Sequence, residues 1–166
     1  MRLIIRFPLR HPLHPDWPVT PARTAQGSCF SISGTVRELM KASKEGVAAE
    51  RAVFAMHYPD SPFLSDSDRD TLWEAFQVPV FACLLDGDGR LVGYECEAQD
   101  GLHVPMMCPT DSDRMMISKD DSILGYRLPL DQAVVESSPC ECGRPGQRLR
   151  FAGPRAPRRL GVVRVP

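Results

Sequence analysis

Four side chains suited to soft metals sit in two short, turn-rich stretches that are far apart along the chain. Residues 94–104 read Tyr-Glu-Cys-Glu-Ala-Gln-Asp-Gly-Leu-His-Val, and residues 139–146 read Pro-Cys-Glu-Cys-Gly-Arg-Pro-Gly. Cys96 and His103 flank the Asp100-Gly101 turn, and Cys140 and Cys142 flank one residue ahead of Gly143. Glycine at these points lets the backbone turn back on itself, so the thiols and the imidazole can converge. A fold that brings the two stretches together is therefore tied across a long span of sequence.

Three chemistries fit these residue types. Thiolates and a neutral imidazole suit a tetrahedral zinc ion, which makes Cys96, His103, Cys140 and Cys142 the candidate ligands and Cys108 a reserve. Buried apolar thiols with one core histidine are the plainer reading, and Cys29 and Cys83 read as packing residues. The third is a redox or nucleophilic thiol, with Cys96 activated by His103 and oriented by Asp100, as a thiol-dependent lyase would require. The residues alone leave all three open.

With 166 residues the chain fits one domain, of a size that buries roughly 70% of the surface its unfolded form exposes. The start, Met1-Arg-Leu-Ile-Ile-Arg-Phe-Pro8, is too short and too interrupted for a signal-peptide core, and no stretch approaches membrane length. The expected location is cytoplasmic, and six cysteines in a reducing compartment favour metal binding or catalysis over a disulfide framework. The net charge of −1 conceals an asymmetry: Asp60 to Asp121 carries fourteen acids against four bases, while seven arginines and no acid follow Glu141. That basic end lacks interleaved aromatics, so nucleic acid is not an expected partner; a solvated or internally paired tail is the plainer reading, and an acidic protein partner the functional one.

Of the sixteen prolines, many crowd the two ends, which divides the chain into a Pro-rich irregular segment at 1–27, an α/β domain at 28–152 and a basic Pro/Arg tail at 153–166. Residues 2–7 suit a short edge strand, while His11 and His14 read as exposed loop histidines. Gly27-Ser-Cys-Phe-Ser-Ile-Ser-Gly34 looks like a phosphate loop but is too poor in glycine and lysine to cradle phosphates. Thr35 and Glu38 form a capping box for a helix to about Ser43, with Val36, Leu39 and Met40 inward. Arg51–Tyr58 suits a buried strand, with His57 a structural histidine. Ser65 and the acids behind it open a second helix whose inner stripe is Leu72, Trp73 and Phe76. Val78–Leu85, a turn at Asp86–Gly89 and Arg90–Tyr94 then form a hairpin, a better account of Asp86 and Asp88 than a calcium loop.

Trp73-Glu-Ala-Phe-Gln-Val-Pro-Val-Phe81 followed by Val92–Val104, and then Ile123–Val135 with Pro139–Leu149, resembles the phenylacetate–CoA ligase family of adenylate-forming enzymes. The matching features are a Glu-Cys segment ending in Gly-Leu-His and a later Cys-x-Cys-Gly-Arg. The resemblance implies an α/β fold corresponding to part of that family's nucleotide-binding region, with a small β-rich element over 90–152; a zinc ion on Cys96, His103, Cys140 and Cys142 would staple that element. It also implies ATP or AMP and a carboxylic-acid or acyl group as ligands, with Asp88, Tyr126, Arg127 and Asp131 the residues to hold them.

Departures from the family pattern qualify the activity. Where the family has Tyr-Gly-x-Ser/Thr-Glu, this chain reads Leu84-Leu-Asp-Gly-Asp88; the Gly-Asp that should hold the ribose appears as Pro129-Leu-Asp131; the hinge has become Gly153-Pro-Arg-Ala-Pro157. Phosphoryl chemistry depends on positioned charge, and that cradle is missing. The expectation is a truncated homologue without independent ligase activity, acting as a binding or accessory module. A reduced acyl-adenylating subunit that borrows a partner's ATP site, a zinc-stapled interaction domain and the Cys96 lyase are the alternatives.

Overall fold

The structure is a computed structural model that describes residues 17–58, 61, 63–85, 87–89, 91–103, 133–144 and 146–151. Those residues form a mixed α/β domain with one eight-stranded sheet in the order β1-β2-β3-β4-β5-β6-β8-β7 and two helices. Strands β1 (Val19–Pro21), β2 (Ser28–Gly34), β3 (Ala48–His57) and β4 (Val80–Leu85) are parallel. Strands β5 (Leu91–Glu95), β6 (Leu102–His103), β7 (Ala133–Glu136) and β8 (Arg148–Phe151) extend the sheet antiparallel from β4. The β-rich element expected over 90–152 is this antiparallel half.

Parallel neighbours need crossovers, and two helices supply them. Helix α1 (Val36–Lys44) starts where the Thr35 hydroxyl accepts the Glu38 N–H and the Glu38 carboxylate accepts the Thr35 N–H at 2.9 Å. Helix α2 (Asp66–Phe76) repeats the device with Ser65 and Asp68, and ends at Gln77, whose φ of 57° turns the chain into β4. Leu39, Ala42, Leu72 and Phe76 pack from these helices onto Ile32, Val53, Ala55, Val80, Ala82 and Leu84. Alternate residues of the same strands, Ala52, Phe54, Phe81 and Cys83, belong to a second buried cluster on the opposite face. Unbroken burial from Ala52 to His57 and along β4 follows, as expected for parallel strands covered on both sides.

Several sequence expectations change. Trp73 is 50% exposed rather than inward. Leu72 and Phe76, one turn apart, already complete the stripe, and the next residue after Leu72 points about 100° away around the helix. Residues 28–34 form a strand, not a loop, because Ile32 enters the helix-side core while Ser31 and Ser33 lie buried opposite Ala52 and Phe54. Within the segment read as irregular, Val19–Pro21 pairs with Ser31–Ser33, since an edge strand tolerates a proline. β3 begins at Ala48 because its first residues pair with Ser28 and Cys29. The expectations for residues 2–7, His11, His14 and the tail at 153–166 lie outside the described residues.

Candidate metal centre

Cys96 follows β5 directly, and the short return to β6 is a tight turn in which the Gln99 N–H donates to the Cys96 carbonyl at 2.8 Å. Gly101 has φ +90°, and a Cβ there would stand 2.5 Å from the Leu149 carbonyl oxygen. Only glycine lets this turn lie against β8. β6 then carries His103 opposite Tyr94, with the two rings stacked at a centroid distance of 5.4 Å. In the β7–β8 connection the Gly143 N–H donates to the Cys140 carbonyl at 2.8 Å, so Cys140 and Cys142 face back toward the sheet. The two turns are built alike: Ala98 N–H donates to the Cys96 sulfur and Arg144 N–H to the Cys142 sulfur, each from two residues downstream.

The sulfurs of Cys96, Cys140 and Cys142 and a ring nitrogen of His103 all lie within 4.8 Å of one another. Cys96 Sγ is 3.6 Å from Cys140 Sγ, and Cys142 Sγ is 3.4 Å from His103 Nε2. Bonds of about 2.3 Å to sulfur and 2.0–2.1 Å to nitrogen, at tetrahedral angles, give ligand edges of about 3.8 Å and 3.6 Å respectively. These two edges are close to those of a zinc-sized tetrahedron, and the remaining pairs lie within 4.8 Å. Cys96, His103 and Cys140 are buried and Cys142 is half-buried, so the centre opens to solvent on the Cys142 side.

Electrostatics hold the imidazole ready. Burial first, then the Arg148 and Arg144 guanidiniums, keeps His103 below its ordinary value and neutral near pH 7, with Glu97 opposing more weakly. Burial and the neighbouring thiols push Cys96 up to about 12. Cys142 stays below the ordinary thiol range: burial opposes this, and the Arg144 N–H, the Cys140 and Cys96 thiols and the Arg144 charge together outweigh it. A divalent cation at the centre would reverse the cost of crowding three thiolates.

A second layer of charge fixes the turns. Arg148, 3% exposed, sits opposite His103 on β8 and donates to the Asp100 carboxylate and carbonyl, both at 3.0 Å, and to the Ser138 carbonyl at 3.3 Å. Arg150 bridges Asp100 and Glu136, each at 3.0 Å, and Arg144 reaches Glu97 at 3.2 Å between the two turns. The internally paired reading of the basic end thus describes Arg144, Arg148 and Arg150. Sequence reasoning did not find this layer, although the alternation Arg148-Leu149-Arg150 puts two arginines on one strand face. It also missed Glu95, which takes Arg69 Nη2 at 2.8 Å and the Ala82 N–H at 2.8 Å and so locks α2 to the strand that delivers Cys96.

The remaining candidates fall elsewhere. His103 Nε2 lies 3.4 Å from Cys142 Sγ, and Asp100 pairs with Arg148 and Arg150. Cys83 is buried against the strands and burial raises its thiol; Cys29 donates to the Ala48 carbonyl at 3.4 Å. His57 is buried with its ring 5.1 Å from Phe63. Asp88 is exposed on the β4–β5 turn, the length of β5 away from Cys96. Tyr126, Arg127, Asp131 and Cys108 lie outside the described residues.

No family model matches the sequence, and no curated protein is significantly similar to it. Among solved structures it is similar to an open conformation of 2-hydroxyisobutyryl-CoA ligase in complex with 2-HIB-AMP and CoA, at 13% identity and a TM-score of 0.47. That likeness covers 74% of this chain, which spans 32% of the ligase chain. Among the described residues no helix is long and apolar enough to cross a membrane.

Proposed function

We propose that this chain is a zinc-stapled α/β module whose role is binding rather than independent catalysis. The observation that carries the reading is the convergence of Cys96, His103, Cys140 and Cys142 within 4.8 Å. Three sulfurs and one imidazole favour zinc over hard cations, and four protein ligands close the coordination sphere, leaving no position for a reactive water. The metal is then structural: it joins the β5–β6 turn to the β7–β8 turn and completes what Arg148, Arg150, Asp100 and Glu136 begin. The folding unit is the domain at 28–152 together with β1, and an acidic protein is the partner class that the arginines at 155, 158, 159 and 164 would recruit.

A second reading rests on the motif resemblance to phenylacetate–CoA ligases. It makes the chain an accessory homologue that holds an acyl or carboxylic-acid group, or an adenylate, beside a partner that supplies ATP, with Asp88, Tyr126, Arg127 and Asp131 as contacts. The paired test is elemental analysis of the purified protein and of a Cys140→Ser, Cys142→Ser variant, followed by thermal shifts with ATP, AMP and a panel of aryl and fatty acids. One zinc per chain that is lost in the variant supports the staple, and absence of metal from reduced protein refolded with zinc removes it. Ligand at a hundredfold excess over its dissociation constant adds about 2.7 kcal/mol; a flat panel would remove the second reading.

A further inference from the structure

We infer that the centre is also a thiol switch: hydrogen peroxide converts the zinc tie into a Cys96–Cys140 disulfide, releasing the metal while the two turns remain joined. This rests on the zinc reading above. Its own basis is unequal access and unequal spacing among the three sulfurs. Cys142 is half-buried, whereas Cys96 and Cys140 are 0% and 4% exposed, so an oxidant from solvent meets Cys142 first. Cys96 and Cys140 are the pair held at 3.6 Å, close enough that bonding at about 2.05 Å needs only a small approach of side chains.

The steps balance without a further reagent. The Cys142 thiolate attacks one peroxide oxygen, the O–O bond breaks, hydroxide leaves, and Cys142 becomes a sulfenic acid. The Cys96 thiolate attacks that sulfur and expels a second hydroxide, giving a Cys96–Cys142 disulfide. The Cys140 thiolate then attacks the Cys96 sulfur and Cys142 departs as thiolate. Two thiolates have lost two electrons, the peroxide has gained them, and two protons from solvent turn both hydroxides into water. His103 and Cys142 alone cannot hold the ion, which leaves.

What changes is the nature of the tie. Cys96 lies on the β5–β6 turn and Cys140 on the β7–β8 turn, so their disulfide spans the same gap as the metal. A Cys140–Cys142 disulfide would join a turn to itself and lose the connection. Oxidation therefore frees a His103–Cys142 pair at the solvent side of an otherwise retained fold.

The test treats zinc-loaded protein with hydrogen peroxide, follows zinc release with a chromogenic chelator, and maps disulfides by peptide mass spectrometry after alkylating free thiols. Expected are one zinc released per Cys96–Cys140 crosslink, Cys142 and Cys83 alkylated, and reversal by dithiothreitol with added zinc. The oxidised, zinc-free protein should melt about 5 °C or more above reduced, chelator-stripped protein. In Cys142→Ala, crosslinking should slow at least tenfold at equal peroxide. Crosslinking of Cys140 to Cys142, overoxidation of Cys142 with no crosslink, or an unchanged rate in Cys142→Ala would overturn the inference. A parallel arm on reduced, metal-free protein separates the two claims: protein that never takes up zinc yet forms the Cys96–Cys140 bond contradicts the metal reading alone.

Discussion

Gly101 shows how much of the site depends on single residues. Its φ of +90° is one that side chains avoid, and its missing Cβ leaves room for the Leu149 carbonyl at 2.5 Å, a backbone atom that cannot swing aside. Gly143 also has a positive φ of +77°, but a Cβ there would meet nothing within 4 Å. Gly143→Ala should therefore cost about 1 kcal/mol, the left-handed penalty alone, while Gly101→Ala should cost at least about 2 kcal/mol more and lower zinc affinity as the Cys96–His103 turn lifts from β8. Denaturant midpoints of the two variants, with zinc titrations, check the ranking; equal costs would mean that β8 yields. At this scale the four residues that converge were legible because thiols and imidazoles are few and stand beside turn glycines. Arg148 was not: its sequence neighbourhood reads as a solvated basic end, and only the register that sets it opposite His103 buries it.

Both helices were legible from their N-termini, the first from the Thr35–Glu38 capping box and the second from Ser65 and the acids behind it, since these are local patterns. Glu38 does more than cap. Burial pushes its carboxyl up, but the Thr35 N–H, the Arg23 guanidinium and the Thr35 hydroxyl prevail, leaving it below the ordinary 4.5. The unfolded chain therefore binds this proton more readily than the folded one, so the stability Glu38 contributes is present above pH 4.5 and disappears as pH falls through its depressed folded value. Glu38→Gln should lose that acid limb and start about 1 kcal/mol less stable at neutral pH; an unchanged acid limb in pH-dependent melting would contradict the role. On α2, Leu72→Ala should cost about 2–5 kcal/mol, and Trp73→Ala, on the exposed side, within about 0.5 kcal/mol of none. Strands β1 and β2 escaped the sequence because serine, glycine and proline carry weak local signals. They are strands because β3 offers an edge to β2 and β2 in turn offers one to β1, with apolar clusters on both faces.

The described residues divide into a parallel half, where the buried strands β3 and β4 are covered by two helices, and an antiparallel half of strands two to five residues long. Strand, helix, strand and hairpin could be read in order along the sequence, but the swap that places β8 between β6 and β7 could not, because it depends on pairings between distant segments. Strands so short provide few ladder bonds, and β6 contributes only Leu102 and His103. What anchors them is Leu102 and Leu149 in the helix-side core, the Arg148 network, and the proposed metal. Removing zinc leaves the first two anchors intact, so the antiparallel half should loosen without global unfolding. Hydrogen exchange on chelator-treated, reduced protein is expected to show the amides of β6 and β8 losing protection by about tenfold to a hundredfold, equivalent to about 1.4–2.7 kcal/mol of local stability. Val53–Ala55 and Ala82–Leu84, in the middle of the parallel half, should change little. A uniform loss across the sheet would mean that one cooperative unit depends on the metal, and unchanged protection at β6 and β8 would mean that the arginine network alone holds the turns together.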